Sequence, residues 1–335
     1  MTKRLILAAL TALLAVAIAT AQQISVVTEG GATTLYENLA DAIDGAEPGS
    51  VIYLPGGGFP LADEVKITKR LTIIGIGHKY DNDNVDGATI IAGNIFFNEG
   101  SDRSALLGCY INGQVNIATD DSQVNDILVR FCNVNSVFVK NGACKGITIN
   151  QNYIRGGSGF HAAPATFTHN ICPWIMDLDG GVIDHNIFTG FLSGRYIFDY
   201  GNAWFDGTVA VCDNDQITNN IFLNRSYMYT GSNNVITHNM LNGADWGDDP
   251  VNISGDWNDI FKKYNGGAIN PVTDFHFTSN FLSEYQEYSD CGIYGGSGFN
   301  DHQTAPVPYI VSKTVDEQTN SAGFLNITIT VKAGE

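Results

Sequence analysis

The residues best suited to chemistry gather in the middle of the 335-residue chain, where Asp184 and His185 are adjacent and Arg195 follows. A carboxylate beside an imidazole can hold one ring nitrogen and leave the other free to move a proton. A guanidinium nearby can neutralise charge that develops on a substrate carboxylate. Such a set could abstract a proton α to a uronate carboxylate or hydrolyse a glycosidic bond. His169 lies in the frame Thr-His-Asn and His185 in Asp-His-Asn, so the two rings are expected side by side with Asp184 next to them. Paired outward imidazoles can take a metal or sugar hydroxyls, and two exposed turn histidines without a role would read the same way.

Flat aromatic faces are the second resource. Trp204, Trp246 and Trp257, with Tyr200, fall in the middle and later parts of the chain. Together with His169 they are the expected substrate-binding residues, because an apolar ring face in a polar groove stacks on a sugar. Packing of loops onto the body accounts for the same tryptophans equally well. The run Asp81-Asn82-Asp83-Asn84-Val85-Asp86-Gly87 resembles a calcium loop, but Asp86 and Gly87 come one place late for an EF-hand and no Glu closes it. Asp248 and Asp249 form a second carboxylate group. Calcium is therefore the one cofactor for which the sequence offers ligands, and a plain polar turn explains both stretches too. No Cys-x-x-Cys or Cys/His spacing suggests zinc.

The first 21 residues have the form of a secretory signal peptide. Lys3 and Arg4 begin it, Leu5 to Ile18 is apolar, and Ala19-Thr20-Ala21 supplies small residues before Gln22. The expected mature chain of 314 residues is exported, and is periplasmic, surface-attached or extracellular in a bacterium. No second long apolar run offers a transmembrane segment. The net charge of −18 becomes −20 without Lys3 and Arg4, which argues against nucleic acid and anionic membrane as partners. Of the six cysteines, Cys109, Cys132 and Cys172 fall on positions expected to face inward. In-register neighbours about 4.8 Å apart point their side chains poorly for a bridge, so buried thiols are expected.

These residues must be positioned by a repeat. The frame Ile149…Asn152…Ile154 returns as Phe167…Asn170…Cys172, Ile183…Asn186…Phe188, Ile217…Asn220…Phe222, Ile236…Asn239…Leu241 and Phe277…Asn280…Leu282. Leu106…Cys109…Ile111 and Val129…Cys132…Val134 carry Cys in the same slot. A second apolar column, Ile95-Phe96-Phe97, Val115-Asn116-Ile117 and Val137-Phe138-Val139, runs at the same period. A period near 20 residues with two strand columns signals a solenoid wound around an interior core. Asparagines stacked at its bends can bond to one another and to turn backbone, so the column reads as structural. The gaps of 34 residues before Asn220 and 41 before Asn280 are each either two coils with a lost ladder residue or one coil carrying an insertion.

At the N-terminus, Thr34 and Glu37 suggest a capping box for a helix with Leu35, Leu39 and Ile43 on one face. The expected organisation is a signal peptide over 1–21 and an N-terminal cap with a short helix over 22–62. A parallel β-helix over 63–304 follows, with insertions near 187–219 and 240–279, and then a C-terminal strand extension over 305–335 that caps or flanks the last coil.

Tyr36-Glu37-Asn38-Leu39-Ala40-Asp41-Ala42-Ile43, with Pro48-Gly49-Ser50-Val51-Ile52-Tyr53-Leu54-Pro55-Gly56-Gly57 and Leu71-Thr72-Ile73-Ile74-Gly75-Ile76-Gly77, resembles the opening of pectin-lyase-like right-handed parallel β-helices. The chain looks most like exported Bacteroides-type β-helix proteins of unassigned function. The resemblance implies an all-β solenoid with a helical cap on its first coil. It does not carry the glycan-active families' catalytic motifs. Of the polygalacturonase set only Asp120-Asp121 is present, and the methylesterase strand is missing. Ile183-Asp184-His185 is similar to a pectate lyase segment, yet it falls inside the repeat, with Thr237-His238-Asn239 in the same phase. The expected function is a monomeric, exported protein that interacts with a polysaccharide or cell-surface glycan through the interrupted coils. A lyase or hydrolase built on Asp184, His185 and Arg195 is the alternative, and a structural or adhesive surface protein is the third.

Overall fold

A computed structural model describes residues 23–61, 64–77, 87–189, 212–223, 232–241, 250–252, 257–271, 273–299, 309–315, 318, 324 and 327–332. The chain is an all-β parallel solenoid. One sheet has eleven strands and a second has fourteen, and almost every pairing joins the equivalent strands of successive coils. Each coil contributes a strand to the first sheet, turns sharply, and passes into the second. Val129 pairs with Leu106 and Ile149, and Phe167 with Ile149 and Ile183, all in register. The second apolar column also stacks as its period implies, with Val115 between Ile95 and Val137.

The interior is a continuous apolar column in which like stacks on like. Phe167, Phe188 and Phe222 lie in near-parallel contact, with centroids 6.4 and 4.9 Å apart. Beside them run Cys109, Cys132, Asn152, Asn170, Asn186, Asn220 and Asn239, all at 0 or 1% exposure. Each Asn takes a backbone N–H from the preceding coil on Oδ1 and gives Nδ2–H to a preceding carbonyl. Asn186 accepts from Asn170 N at 2.8 Å and donates to Phe167 O at 2.8 Å, and Asn220 repeats the pattern toward Asn186 and Ile183. Buried amides so paired carry no desolvation debt, which is why a polar residue tolerates the core. All six cysteines are buried and unbridged, and burial pushes the Cys132 thiol up to about 12.

Several expectations need correction. Thr33–Tyr36 is a strand antiparallel to Ile24–Val27, so Leu35 is exposed and no capping box forms at Thr34. The helix is shorter, Leu39–Gly45, and is capped by Asn38, whose side chain accepts from Asp41 N at 2.8 Å. The 34-residue gap is one coil with an insertion, because Ile187 pairs directly with Ile221. Phe277…Asn280…Leu282 is not an eighth copy. Its Asn280 lies in the helix Ser279–Glu284, and the last coil strand among the described residues is Pro250–Asn252. Residues 257–299 instead form a lobe of short helices and turns on the outside of the second sheet. The C-terminal extension contains the strands Tyr309–Val315 and Ile327–Lys332, which pair antiparallel with each other, with Ile327 and Ile329 exposed.

The lobe sits where the solenoid needs a cover. The residue after each ladder slot points outward, and in four successive coils it is Ile171, Ile187, Ile221 and Met240. These are buried against Ile260, Phe261, Phe275, Phe281 and Tyr288 in a second apolar core, distinct from the interior one.

Candidate functional site

The residue before each ladder slot is forced into the left-handed region by the tight turn between the two sheets. Gly108, Phe131, Gln151, His169, His185, Asn219 and His238 have φ between 54 and 63°. His and Asn tolerate that conformation better than most side chains, and it aims each of them outward beside its neighbour. His169 and His185 therefore stack, with centroids 5.0 Å apart and ring planes 1° from parallel.

This column meets the lobe. His169 Nε2 lies 3.0 Å from Gly295 O, and His238 Nε2 lies 2.7 Å from Glu287 O. His185 has a carboxylate at each nitrogen, Asp184 Oδ2 at 2.6 Å from Nδ1 and Asp290 Oδ2 at 3.4 Å from Nε2. Asp184 Oδ1 accepts from Thr218 Oγ1 at 2.7 Å and Asn219 Nδ2 at 2.9 Å. The Gly296 amide donates to Asp290 Oδ1 at 2.7 Å, and the Gly292 amide donates to Asn219 O at 2.7 Å.

The electrostatics follow from these contacts. Burial opposes charge on His185, but Asp184 and Asp290 outweigh it and raise its pKa. Burial lowers the pKa of His169, with only the Gly295 carbonyl and the more distant Asp184 acting the other way. Asp184 is held below the ordinary carboxylate range because the His185, Thr218 and Asn219 hydrogen bonds overcome its burial. His169 and His185 are each only 6% exposed. The pair predicted from the sequence is thus brought together with Asp184 as expected, but both Nε2 atoms face the lobe, His185 Nδ1 is held by Asp184 and His169 Nδ1 is buried without a partner.

A separate groove of about 510 Å³ opens between the solenoid and the lobe. Tyr153, Arg155 and Ile171 line its solenoid wall, and Gly266–Gly267 and Ile269 line the other. Tyr153 Oη donates to Ile269 O at 2.9 Å, tying the walls together. Arg155 extends along the outer face over the Tyr110 ring, 4.6 Å from its centroid, and donates to Asn133 Oδ1 and Ile111 O. Burial lowers its pKa. Among the described residues no carboxylate pairs with it. Sequence reasoning gave no reason to single out Arg155, because the groove's second wall lies more than a hundred residues away.

Trp257 is half-buried in the lobe, packed on Phe261 and Tyr264 with centroids 5.9 Å away in both cases. It backs the loop of Gly266, where an added Cβ would come 2.9 Å from its ring. Its place is packing behind the groove wall. Arg195, Tyr200, Trp204, Trp246, Asp248 and Asp249 lie outside the described residues, as do Asp81, Asp83 and Asp86 and the 1–21 segment. Among the described residues no group of three or more His, Cys, Asp or Glu could hold a metal ion, and no helix is long and apolar enough to cross a membrane. Comparison with known proteins gives no match to a family, a curated protein or a solved structure.

Proposed function

We propose that the chain is an exported β-helix protein that binds a glycan, of the pectin-lyase-like, Bacteroides-type kind that its sequence resembles, and that binding occurs in the groove between the solenoid and its lobe. The observation that carries this reading is the groove itself. Its volume of about 510 Å³ falls in the range of small-ligand sites, which are concave, mainly apolar and furnished with a few polar groups. The Tyr153 ring, the Arg155 guanidinium and the backbone of Gly266–Gly267 line it and are groups that a sugar can use. Thr189, the last described residue before the stretch that carries Trp204 in the sequence, lines the groove, and insertions in solenoids commonly build the binding face.

Binding rather than catalysis is favoured because Asp184 is committed to His185, Thr218 and Asn219, and His185 to Asp184 and to Asp290 of the lobe. The export and the monomeric state rest on the sequence alone.

A glycan array probed with the mature chain and with Ala268→Trp tests the reading. Ala268 is exposed and lines the groove, so the indole fills the groove without touching the core. Binding that Ala268→Trp abolishes and Trp204→Ala weakens is the expected result. A broad array, with and without calcium, that yields no ligand removes the glycan reading. Products from a polysaccharide panel would replace it with the lyase or hydrolase alternative.

A further inference from the structure

We propose that His169 and His185 form a clasp that carries a single proton, and that the 287–296 segment is seated most firmly on the solenoid while the pair holds that one proton. The stacked geometry is the starting point. His185 has an acceptor carboxylate at both ring nitrogens, which suits an N–H on each. His169 has a carbonyl acceptor at Nε2 alone, and its Nδ1 is buried with no hydrogen-bond partner. The arrangement therefore fits an imidazolium at His185 above a neutral, Nε2-protonated imidazole at His169. A second proton would put an N–H on the orphaned Nδ1 and set two cations face to face at 5.0 Å. Removing one proton from the His185 imidazolium would leave one of its nitrogens facing a carboxylate with no hydrogen between them.

The surroundings act in the same direction. From the solenoid, Asp184 favours the proton and Arg130 opposes a charge on His169. From the lobe, Asp290 favours the charge on His185, and the Cys291 thiol is held neutral by burial. His238, two coils on, grips Glu287 O and stacks on Tyr288 at 4.6 Å, so the clasp is one end of a longer contact.

The two histidines impose opposite limits on pH. His185, raised in the fold, contributes its full stabilisation below the ordinary value of about 6.5 and loses it as pH rises through the raised value. His169, lowered in the fold, costs nothing above about 6.5 and destabilises as pH falls toward its lowered value, because the released segment takes the proton first. Seating is therefore greatest near the middle. Since the lobe supplies one wall of the groove, the clasp would also tune ligand binding, a consequence that rests on the glycan reading. The clasp itself does not.

The test uses the full mature chain without ligand. Ring-nitrogen NMR should show one histidine protonated at both nitrogens at neutral pH beside one neutral ring protonated at Nε2. Amide exchange in 287–296, corrected for intrinsic rates, should be slowest near pH ~6.5 and faster on both sides. His169→Gln keeps a donor for Gly295 and suits a column that already contains Gln151, and it should erase only the acid-side loss. His185→Gln should erase only the alkaline-side loss. Two rings titrating independently at the ordinary value, protection that does not change with pH, or an acid-side loss that survives in His169→Gln would each overturn the proposal.

Discussion

Replacing Asp215 with Asn should stabilise the protein, by an amount that grows with pH. Asp215 is 1% exposed, and its Oδ1 accepts from Gly181 N at 2.7 Å while Oδ2 has no partner. Burial, reinforced by Asp179 and Asp213, pushes its carboxyl up to about 8. One coil on, Asn234 fills the equivalent place, taking Asp215 N on Oδ1 and giving Nδ2–H to Cys212 O at 2.8 Å. Asn at 215 would keep the Gly181 bond and turn the orphaned oxygen into a donor. In the unfolded chain an Asp ionises near ~3.9, so the folded state retains a proton that the unfolded state releases, and stability falls as pH rises from about 4 to about 8. At about 1.4 kcal/mol per tenfold, the accumulated cost approaches an upper figure of about 6 kcal/mol, which relaxation and water entry reduce. Urea unfolding of both proteins at pH values from about 4 to about 9 measures the difference. The gap should be small at the acid end, widen through neutrality and level off above about 8. A gap independent of pH, or an Asn variant less stable above neutrality, would refute the argument.

Other outcomes follow from the interior. Asn186→Ala leaves Asn170 N and Phe167 O without partners inside the core, at about 1–3 kcal/mol for each orphaned group, and chemical denaturation should show a loss of several kcal/mol. Phe188→Ala, which removes the middle ring of the phenylalanine stack, should cost about 3–5 kcal/mol by the same assay. Gly75→Ala should also destabilise, since its Cβ would come 2.5 Å from Gly108 O and 2.8 Å from Cys109 Sγ, and a lowered melting temperature would register it. The cysteines should resist a thiol reagent in the native state and react after denaturation, because burial holds Cys109, Cys132, Cys172, Cys212 and Cys291 as neutral thiols.

The repeat was legible because its physical cause is local. An inward residue three before the slot, a ladder amide and an inward residue two after it mark one strand, one bend and the next strand, so the period appears in the sequence directly. The stacking of His169 on His185 was legible for the same reason, since equivalent slots in adjacent coils must lie side by side. The false eighth copy at Asn280 shows the limit of pattern alone. Phe277 and Leu282 flank it as an inward pair should, but both pack in the lobe core, one at an isolated bridge and one on a helix. The capping helix failed similarly, because Asn38 competes with Thr34 as a cap and Leu35 is drawn into a strand against Ser25.

What the sequence did contain, in a form that period analysis passes over, is the outward residue after each slot. It runs Tyr110, Asn133, Tyr153 and then Ile171, Ile187, Ile221, Met240. A solenoid face left in water has no use for four stacked aliphatic side chains, since leaving each exposed forgoes about 1.5–3 kcal/mol. The change from polar to aliphatic at Ile171 therefore marks where a cover begins, and the aromatic-rich 257–299 stretch is the part of the chain able to supply it. The groove falls at that boundary, with half-buried Tyr153 bonded to Ile269 at the lobe's margin and Ile171 the first of the buried aliphatic positions. A site in this solenoid arises where a covering element stops short of the end of the sheet, and that edge is set by one outward column rather than by any catalytic motif.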